Sequence, residues 1–192
     1  MGKITVVTGT MFSGKTSKLI EMAENLRLNN ILNFSIYRPQ VNIVDGHGVV
    51  LTHNQLALPA QPLLSIETLK LDKNKYIFID SFQNLPYQFV DAIEELVVKE
   101  DKEFYLFGTR TDVRGNFQQT MCKIMSIADE IILLSTKCTY CNNKSIYHVV
   151  KDGLSVSDDI NKIKGEKYEP LCRKCFYEKF LKKQIVDTKT NN

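Results

Sequence analysis

Short apolar segments alternate with longer amphipathic segments over the first 135 residues of the chain. Five short segments are almost continuously apolar, which is typical of strands covered on both faces of a parallel sheet; they span residues 3–8, 33–38, 76–80, 103–108 and 130–135. Three longer segments repeat apolar residues with a helical period; they span residues 16–28, 86–98 and 118–128. This alternation predicts a parallel α/β sheet, which binds ligands at the carboxyl ends of its strands.

The pattern weakens between residues 41 and 69, where only residues 49–53 favour a strand. Such a stretch predicts a loop or hairpin that reaches across the ligand site, or a surface excursion without function. The composition changes after residue 135, where four cysteines and a lysine-rich end occur. We therefore expect an α/β domain over residues 1–136, a small second domain over residues 137–181 and a disordered tail over residues 182–192.

One segment before the first predicted helix, GTMFSGKT, fits the pattern G-x-x-x-x-G-K-[ST]. In such a P-loop, backbone N–H groups hold phosphate oxygens, the lysine adds a positive charge and the last hydroxyl reaches Mg²⁺. The alternative is a glycine-rich turn with an incidental lysine. The motif predicts that residues 1–136 bind a nucleotide through Gly9, Thr10, Met11, Phe12, Ser13, Gly14, Lys15 and Thr16.

An acidic residue, Asp80, follows the predicted strand at residues 76–80. A carboxylate at this position is where a phosphate-transferring protein holds Mg²⁺, although an aspartate after a strand is also common in turns and helix caps. The next residue is Ser81, where a second carboxylate would be the natural group to deprotonate a substrate hydroxyl.

Two C-x-x-C pairs lie near the end of the chain, separated by the thirty residues 142–171. Four thiolates complete a tetrahedral zinc site and leave no position for a catalytic water, so the predicted zinc is structural. The candidate ligands are Cys138, Cys141, Cys172 and Cys175. Four unrelated thiols are the alternative. Cys122 stands apart and is expected to be a small core or helix residue.

The overall composition is that of an ordinary globular protein, with 43% hydrophobic and 24% charged residues. A formal charge of +3 and a pI near 8.5 are too mild to predict nucleic-acid binding. No apolar run has the length of a transmembrane helix, and the first residues lack the layout of a signal peptide. We expect a cytoplasmic protein with neither a nucleic-acid partner nor a membrane partner.

Several motifs together resemble the thymidine kinases of the cytosolic, bacterial and phage type that contains zinc. GTMFSGKT is similar to the P-loop of that family, Arg38-Pro39 to its Lys-Pro, VVLTH to its V-V-S-H and FGTRTDVRGNF to its Y-G-L-x-T-D-F-R-G-x-x-F. The two cysteine pairs complete a match over nearly the full length.

The resemblance implies a RecA-like P-loop core and a C-terminal zinc-binding lobe whose long loop, the lasso, covers the nucleoside base. It also implies ATP and Mg²⁺ as cofactors, a deoxynucleoside as substrate and a homo-oligomer, commonly a tetramer. Lys15 would act in catalysis with Asp80, and Thr16 and Asp80 would hold Mg²⁺. The substrate-binding positions implied by the family are Met11, Gln83, Thr109, Val113 and Tyr168.

The departures from the family pattern fall at positions that the family uses for proton transfer, phosphate binding and base recognition. Ser81 occupies the position of the glutamate assigned as general base, and Asn42-Ile43-Val44 replaces a D-x-R whose arginine faces the phosphates. Thr109 and Val113 differ in the base pocket, His148-Val149-Val150 replaces the T-x-R of the lasso, and Asn84 replaces an aromatic residue. Losing a general base typically costs about 10² to 10⁴ in rate.

Three functions are compatible with these departures. The first is a thymidine-kinase-like enzyme with altered base preference, in which Asp45 or a histidine, His47 or His53, is a substitute proton acceptor or else an ordinary loop residue. The second is an inactive pseudokinase that binds ATP and serves as a regulatory or assembly subunit. The third is a zinc-stabilised interaction protein in which the P-loop is inherited scaffold.

Overall fold

The structure, a computed structural model, describes residues 1–39, 49–51, 57–151 and 168–181, with the backbone alone at 49–51, 57, 180 and 181. Its strands are β1 (Lys3–Thr8), β2 (Phe34–Pro39), β3 (Val49–Leu51), β4 (Ala57–Pro59), β5 (Gln61–Leu63), β6 (Tyr76–Ile79), β7 (Glu103–Gly108), β8 (Glu130–Leu133), β9 (Tyr147–Val150) and β10 (Tyr168–Leu171). Its helices are α1 (Lys15–Leu28), α2 (Ile66–Leu71), α3 (Gln88–Glu100), α4 (Gln119–Ile127) and α5 (Arg173–Phe176), with a 3₁₀ turn at Phe82–Asn84 and a π-helical turn at Tyr177–Leu181.

Some predictions lie outside the described residues. They concern Asn42-Ile43-Val44, Asp45, His47, His53 and the tail 182–192.

Six parallel strands form the main sheet in the order β5-β2-β6-β7-β1-β8. The five strands and three helices predicted from the sequence are β1, β2, β6, β7, β8, α1, α3 and α4, with helix ends shifted by one or two residues. The predicted α/β class is confirmed, and the parallel sheet is consistent with a RecA-like fold. The carboxyl ends of β1, β2, β6 and β7 lie along one edge, which is where α1 begins.

Helices cover the sheet on both faces because alternate strand residues point in opposite directions. On one face α1 packs through Leu19, Ile20 and Ala23 onto a layer that includes Phe78 and Phe107. On the other face α2, α3 and α4 pack onto a second layer, whose strand members are Ile4, Val6, Tyr37, Leu63, Ile77, Ile79, Phe104 and Leu106. The two layers hold the strand ends, and therefore the edge that carries the site, in fixed positions.

Two features of the sheet differ from the sequence prediction. The segment at residues 130–135 was expected to be covered on both faces, but Ile131 and Leu133 of β8 are 45% and 59% exposed because β8 is an outer strand. The elements β4, β5 and α2 were not predicted. β5 is three residues long and includes Pro62, which is compatible with a strand at the opposite edge of the sheet.

A separate small core follows the sheet. It contains β9, β10 and α5 around Cys138, Val149, Leu171, Cys172, Cys175 and Phe176, with the ring of Tyr147 stacked on that of Phe176 at 4.1 Å. Within the described ranges, no helix combines the length and the apolar character needed to cross a bilayer.

Candidate functional site

The loop between β1 and α1 folds tightly on itself. A Cβ atom at Gly9 would lie 2.4 Å from Ser13 Oγ and 2.6 Å from the carbonyl oxygen of Leu134, so the loop has no room for a larger residue there. Gly14 enters α1 with a φ of 87°, which glycine adopts without strain. This compact turn before a helix is the geometry that a P-loop requires.

Unsatisfied groups in this loop fit an anionic ligand. The hydroxyl of Ser13 is buried and has no hydrogen-bond partner within the part of the chain that the structure describes. Leaving a buried hydroxyl unpaired costs about 1–3 kcal/mol, which a bound acceptor recovers. The N-terminus of α1 lies next to it and favours negative charge through its free N–H groups.

Two oppositely charged side chains, Lys15 and Asp80, lie near each other at the edge where the strands end. Burial lowers the pKa of Lys15 to about 8, and the nearby charge of Asp80 opposes this shift. Lys15 Nζ donates to the carbonyl oxygen of Thr10 at 2.7 Å. Asp80 is only 8% exposed, and burial raises the pKa of its carboxyl group, while the charges of Arg38 and then Lys15 lower it. The predicted lysine and acid are therefore brought together in one electrostatically coupled group.

The residue after this acid, Ser81, has the left-handed conformation, with φ of 55°. Its backbone N–H and its hydroxyl are the neighbouring donors that lower the pKa of the Asp80 carboxyl group. The hydroxyl of Ser81 thus supports the ionised form of Asp80. A neutral serine hydroxyl is a much weaker proton acceptor than a carboxylate, so Ser81 does not supply a general base here.

Two predicted substrate residues, Gln83 and Thr109, meet at the ends of β6 and β7. Gln83 Oε1 accepts the backbone N–H of Thr109 at 3.2 Å. Gly108 makes this contact possible, because a Cβ atom there would lie 2.6 Å from Gln83 Oε1. Val113 is buried in the turn beyond β7, and Met11 is partly buried in the P-loop. Contact of these residues with a nucleoside stays a prediction.

A buried histidine lies between the P-loop and the small core. His148 is 4% exposed, and its ring meets that of Tyr168 edge to face at 5.9 Å. Burial lowers the pKa of His148 to about 4; the charge of Lys15 acts in the same direction and that of Asp112 opposes it. His148 Nδ1 has no hydrogen-bond partner among the described residues. The sequence identified His148 as a departure from the family, but its burial beside Lys15 emerged only in the folded chain.

The four predicted zinc ligands converge. Their Sγ atoms lie within 4.8 Å of one another, and Cys141 Sγ is 3.4 Å from Cys172 Sγ and 3.6 Å from Cys175 Sγ. A tetrahedron with Zn–S bonds of about 2.3 Å has edges of about 3.8 Å, so the cluster has the dimensions of a zinc site. Burial raises the pKa of Cys138, but hydrogen bonds from backbone N–H groups outweigh burial and bring it to about 6. Cys122 is exposed on α4, so it is a helix residue and not part of the core.

This cysteine cluster is joined to the main domain by two contacts, one with the P-loop and one with the turn after β7. Ser145, which closes the hairpin that begins at Thr136, shares a buried hydrogen bond of 2.9 Å with the hydroxyl of Thr10. Gly115, in the turn after β7, leaves space for Phe176, since a Cβ atom there would lie 2.7 Å from its ring. The small core and the nucleotide edge therefore support each other.

The folded chain adds two residues to the site, Arg38 and Ser145, which the sequence alone did not assign to it. Arg38 is the second-last residue of β2 and lies beside Asp80; the sequence could have identified it because both residues end predicted strands. Ser145 had no such signal, since its contact with Thr10 spans 135 positions of the chain.

Comparisons with known proteins agree with this geometry. A family model described as thymidine kinase matches residues 2–176. The chain is similar to a thymidine kinase from Rhodothermus sp. (strain ITI 518), at 25% identity over 92% of this chain and 82% of the relative. It is also similar to thymidine kinases from Pseudothermotoga lettingae, at 28% over 91% and 95%, and from Choristoneura fumiferana entomopoxvirus, at 25% over 91% and 96%.

Metal removal should open the small core selectively. We expect freshly purified protein to hold about one zinc ion per chain, and a chelator to make residues 137–181 sensitive to protease while the sheet stays folded. Cys172→Ser should lose the zinc, whereas Cys122→Ser, the matched control away from the cluster, should keep it. Zinc analysis with limited proteolysis and mass spectrometry measures both effects. A wild-type chain that contains almost no zinc contradicts the prediction.

The buried histidine should make the fold sensitive to mild acid. His148 titrates near 6.5 when unfolded but only near 4 when folded, so between these values the unfolded state binds more protons and stability falls as the pH is lowered. We expect His148→Gln to remove about 2 kcal/mol of the stability lost between about pH 7.5 and pH 5. Urea unfolding of both proteins at the two pH values measures this difference. Equal losses in the two proteins contradict it.

Proposed function

Because this chain belongs to the thymidine kinase family, we propose that it is a phosphotransferase that moves the γ-phosphoryl group of ATP to the 5′-hydroxyl of thymidine or a related deoxynucleoside. The observation that carries the proposal is the coupled pair of Lys15 and Asp80, which lies beside a P-loop at the carboxyl edge of the sheet. The product would be a deoxynucleoside monophosphate, which places the reaction in deoxynucleoside salvage for DNA precursor synthesis.

The P-loop would bind the phosphates of ATP. Its backbone N–H groups and the N-terminus of α1 supply donors without a mobile side chain, and Ser13 adds a buried hydroxyl that fits a phosphate oxygen. Lys15 would exchange its hydrogen bond with the Thr10 carbonyl oxygen for a phosphate oxygen. Since its pKa is about 8, Lys15 is mostly charged at neutral pH, and the negative charge of phosphates favours that form further.

Asp80 and Thr16 are the residues that would hold Mg²⁺. The hydroxyl of Thr16 belongs to the first turn of α1, and Asp80 offers a buried carboxylate on the same edge. Burial alone disfavours the ionised form of Asp80, so the donors from Ser81 and the charges of Arg38 and Lys15 matter for metal binding. Bound Mg²⁺ would offset the negative charge of the phosphates during transfer.

The nucleoside would lie between the end of β7 and the small core. We assign Gln83, Thr109 and Tyr168 to its binding, together with Met11 and Val113. The hydrogen bond between Gln83 and Thr109 keeps this side of the site in place, and Tyr168 is the first residue of β10. Zinc at the cysteine cluster would have a structural role, because it anchors β9, β10 and α5 and, through Ser145, the P-loop.

In the same proposal, residues 1–136 would form the nucleotide-binding domain and residues 137–181 the zinc-binding lobe. The protein would be a cytoplasmic homo-oligomer.

A second function is supported by one observation. The residue that follows Asp80 is Ser81, whose neutral hydroxyl is a much weaker base than a carboxylate and so does not take the place of a general base for a substrate hydroxyl. A pseudokinase that binds ATP and regulates or assembles with other proteins would retain this arrangement. Phosphoryl transfer depends mainly on alignment and charge, which the P-loop and Asp80 still supply, so the kinase is the preferred function.

Transfer of labelled γ-phosphate decides between these functions. We expect wild-type protein with ATP and Mg²⁺ to phosphorylate at least one member of a panel of deoxynucleosides that includes thymidine and deoxyuridine. Lys15→Ala, which loses a phosphate-binding charge, should show no transfer above background. ATP binding at ordinary affinity without transfer to any member of the panel would identify the pseudokinase.

A carboxylate restored at position 81 should accelerate transfer. Serine already has a Cβ atom at the left-handed φ of this position, so Ser81→Glu adds no new type of backbone strain. A positioned general base contributes about 10² to 10⁴ in rate, and we expect a gain of about tenfold or more in kcat. Ser81→Gln is the isosteric control and should show no gain. An equal response in the two variants rules out proton transfer as the cause.

A further inference from the structure

An arginine, Arg38, shares a row with Asp80 at the edge of the sheet. β2 and β6 are parallel neighbours in which Tyr37 pairs with Ile79, and the N–H of Asp80 donates to the Tyr37 carbonyl oxygen at 2.9 Å. One step further along this register, Arg38 lies beside Asp80. Backbones of adjacent strands are about 4.8 Å apart, so the two side chains start as immediate neighbours.

Both side chains lie on the face of the sheet that α1 covers. Phe34 and Ile36 of β2 pack in the α1 layer, and Arg38 follows them at the same two-residue spacing. Phe78 of β6 packs in that layer too, and Asp80 follows it by two residues. Since α1 starts at Lys15 on this face, the register places Arg38, Asp80 and the P-loop around one point.

The donors of Arg38 are not used elsewhere in the described structure. Arg38 is partly buried, yet within the described ranges its side chain makes neither a hydrogen bond nor an ion pair within 4.0 Å. Arg27 contrasts with it, because Arg27 pairs with Glu24 at 2.7 Å and lies over the ring of Phe34. A guanidinium has five donors in a planar fork that matches two phosphate oxygens.

We propose that Arg38 is a catalytic residue that binds the γ-phosphoryl oxygens during transfer. This role rests on the proposed kinase function. In the step, the 5′-oxygen of the nucleoside forms a bond to the γ-phosphorus as the bond to the bridging oxygen breaks, and that electron pair leaves with ADP. The hydroxyl proton passes to an oxygen of the transferred phosphoryl group, so no protein base is required. Arg38 keeps its protons throughout and offsets the charge on the equatorial oxygens.

A structural role for Arg38 predicts different behaviour. Arg38 is the charge with the greatest effect in favouring the ionised form of Asp80. If this were its whole role, removing it would raise the pKa of Asp80 and weaken Mg²⁺ binding, and a higher pH would restore activity. A lysine at the same position would also suffice, because it keeps the charge. Contact with the phosphoryl group instead requires the fork and gives a loss that persists at high pH.

The test compares Arg38→Gln and Arg38→Lys with wild type and with Arg27→Gln, a matched loss of an arginine on α1. Binding of ATP with Mg²⁺ and single-turnover transfer are measured from about pH 7 to pH 9. We expect Arg38→Gln to lose about 10³-fold in the transfer rate at every pH, with ATP affinity within about threefold of wild type. Arg38→Lys should recover only part of this loss, and Arg27→Gln should match wild type.

A binding measurement separates this inference from the kinase function itself. The probe is a bisubstrate analogue in which adenosine and thymidine are joined by a chain of phosphates. If wild type transfers phosphate to no deoxynucleoside, the proposed function fails. The role of Arg38 is still supported in that case if Arg38→Gln binds the analogue at least tenfold more weakly at unchanged ATP affinity. Analogue binding at wild-type strength in Arg38→Gln overturns the inference. So does full recovery of transfer at high pH or in Arg38→Lys.

Discussion

Parallel pairing of β2, β6, β7 and β1 is the constraint on which the site depends. Laterally paired residues in a parallel sheet point to the same face, so one register places Arg38 and Asp80 side by side and carries them to the edge where α1 begins. The two packed layers hold this register, because a shift of one residue would turn apolar side chains such as Phe78 out of the core. The charged site is thus a consequence of how the hydrophobic core is paired.

Burying charge at this edge is unfavourable unless the charges compensate one another. Burial alone would favour neutral Lys15 and protonated Asp80, and each group shifts the pKa of the other back toward its charged form. Arg38 and the two donors from Ser81 add to this effect at Asp80. An anionic ligand with a metal ion fits this cluster of charges, because the ligand's negative charge can pair with Lys15 and Arg38 and the metal ion with Asp80.

The cysteine cluster takes part in this arrangement through Ser145 and Phe176. The hydrogen bond between Ser145 and Thr10 ties the hairpin at residues 136–145 to the P-loop, and Phe176 fills the space that Gly115 leaves open. His148 lies at the same junction and stays neutral, because Lys15 and burial both oppose its protonation. A metal bound by the four cysteines would therefore also stabilise the loop that would hold phosphate, without contact with the reacting groups.

The sequence by itself determined the local features. Strand and helix periodicity identified five strands of the main sheet and three helices that cover it. The P-loop motif, the acid after a strand and the two cysteine pairs could be predicted because each is a contiguous signal. The sequence did not predict the short strands β4 and β5 or helix α2, and it predicted wrongly that β8 is covered on both faces. Edge position and tertiary packing decide these features. Only the tertiary structure placed Arg38 beside Asp80, Ser145 against Thr10 and His148 near Lys15. Those contacts join residues that are far apart in the chain, and lateral pairing between elements, which no local period encodes, brings them together.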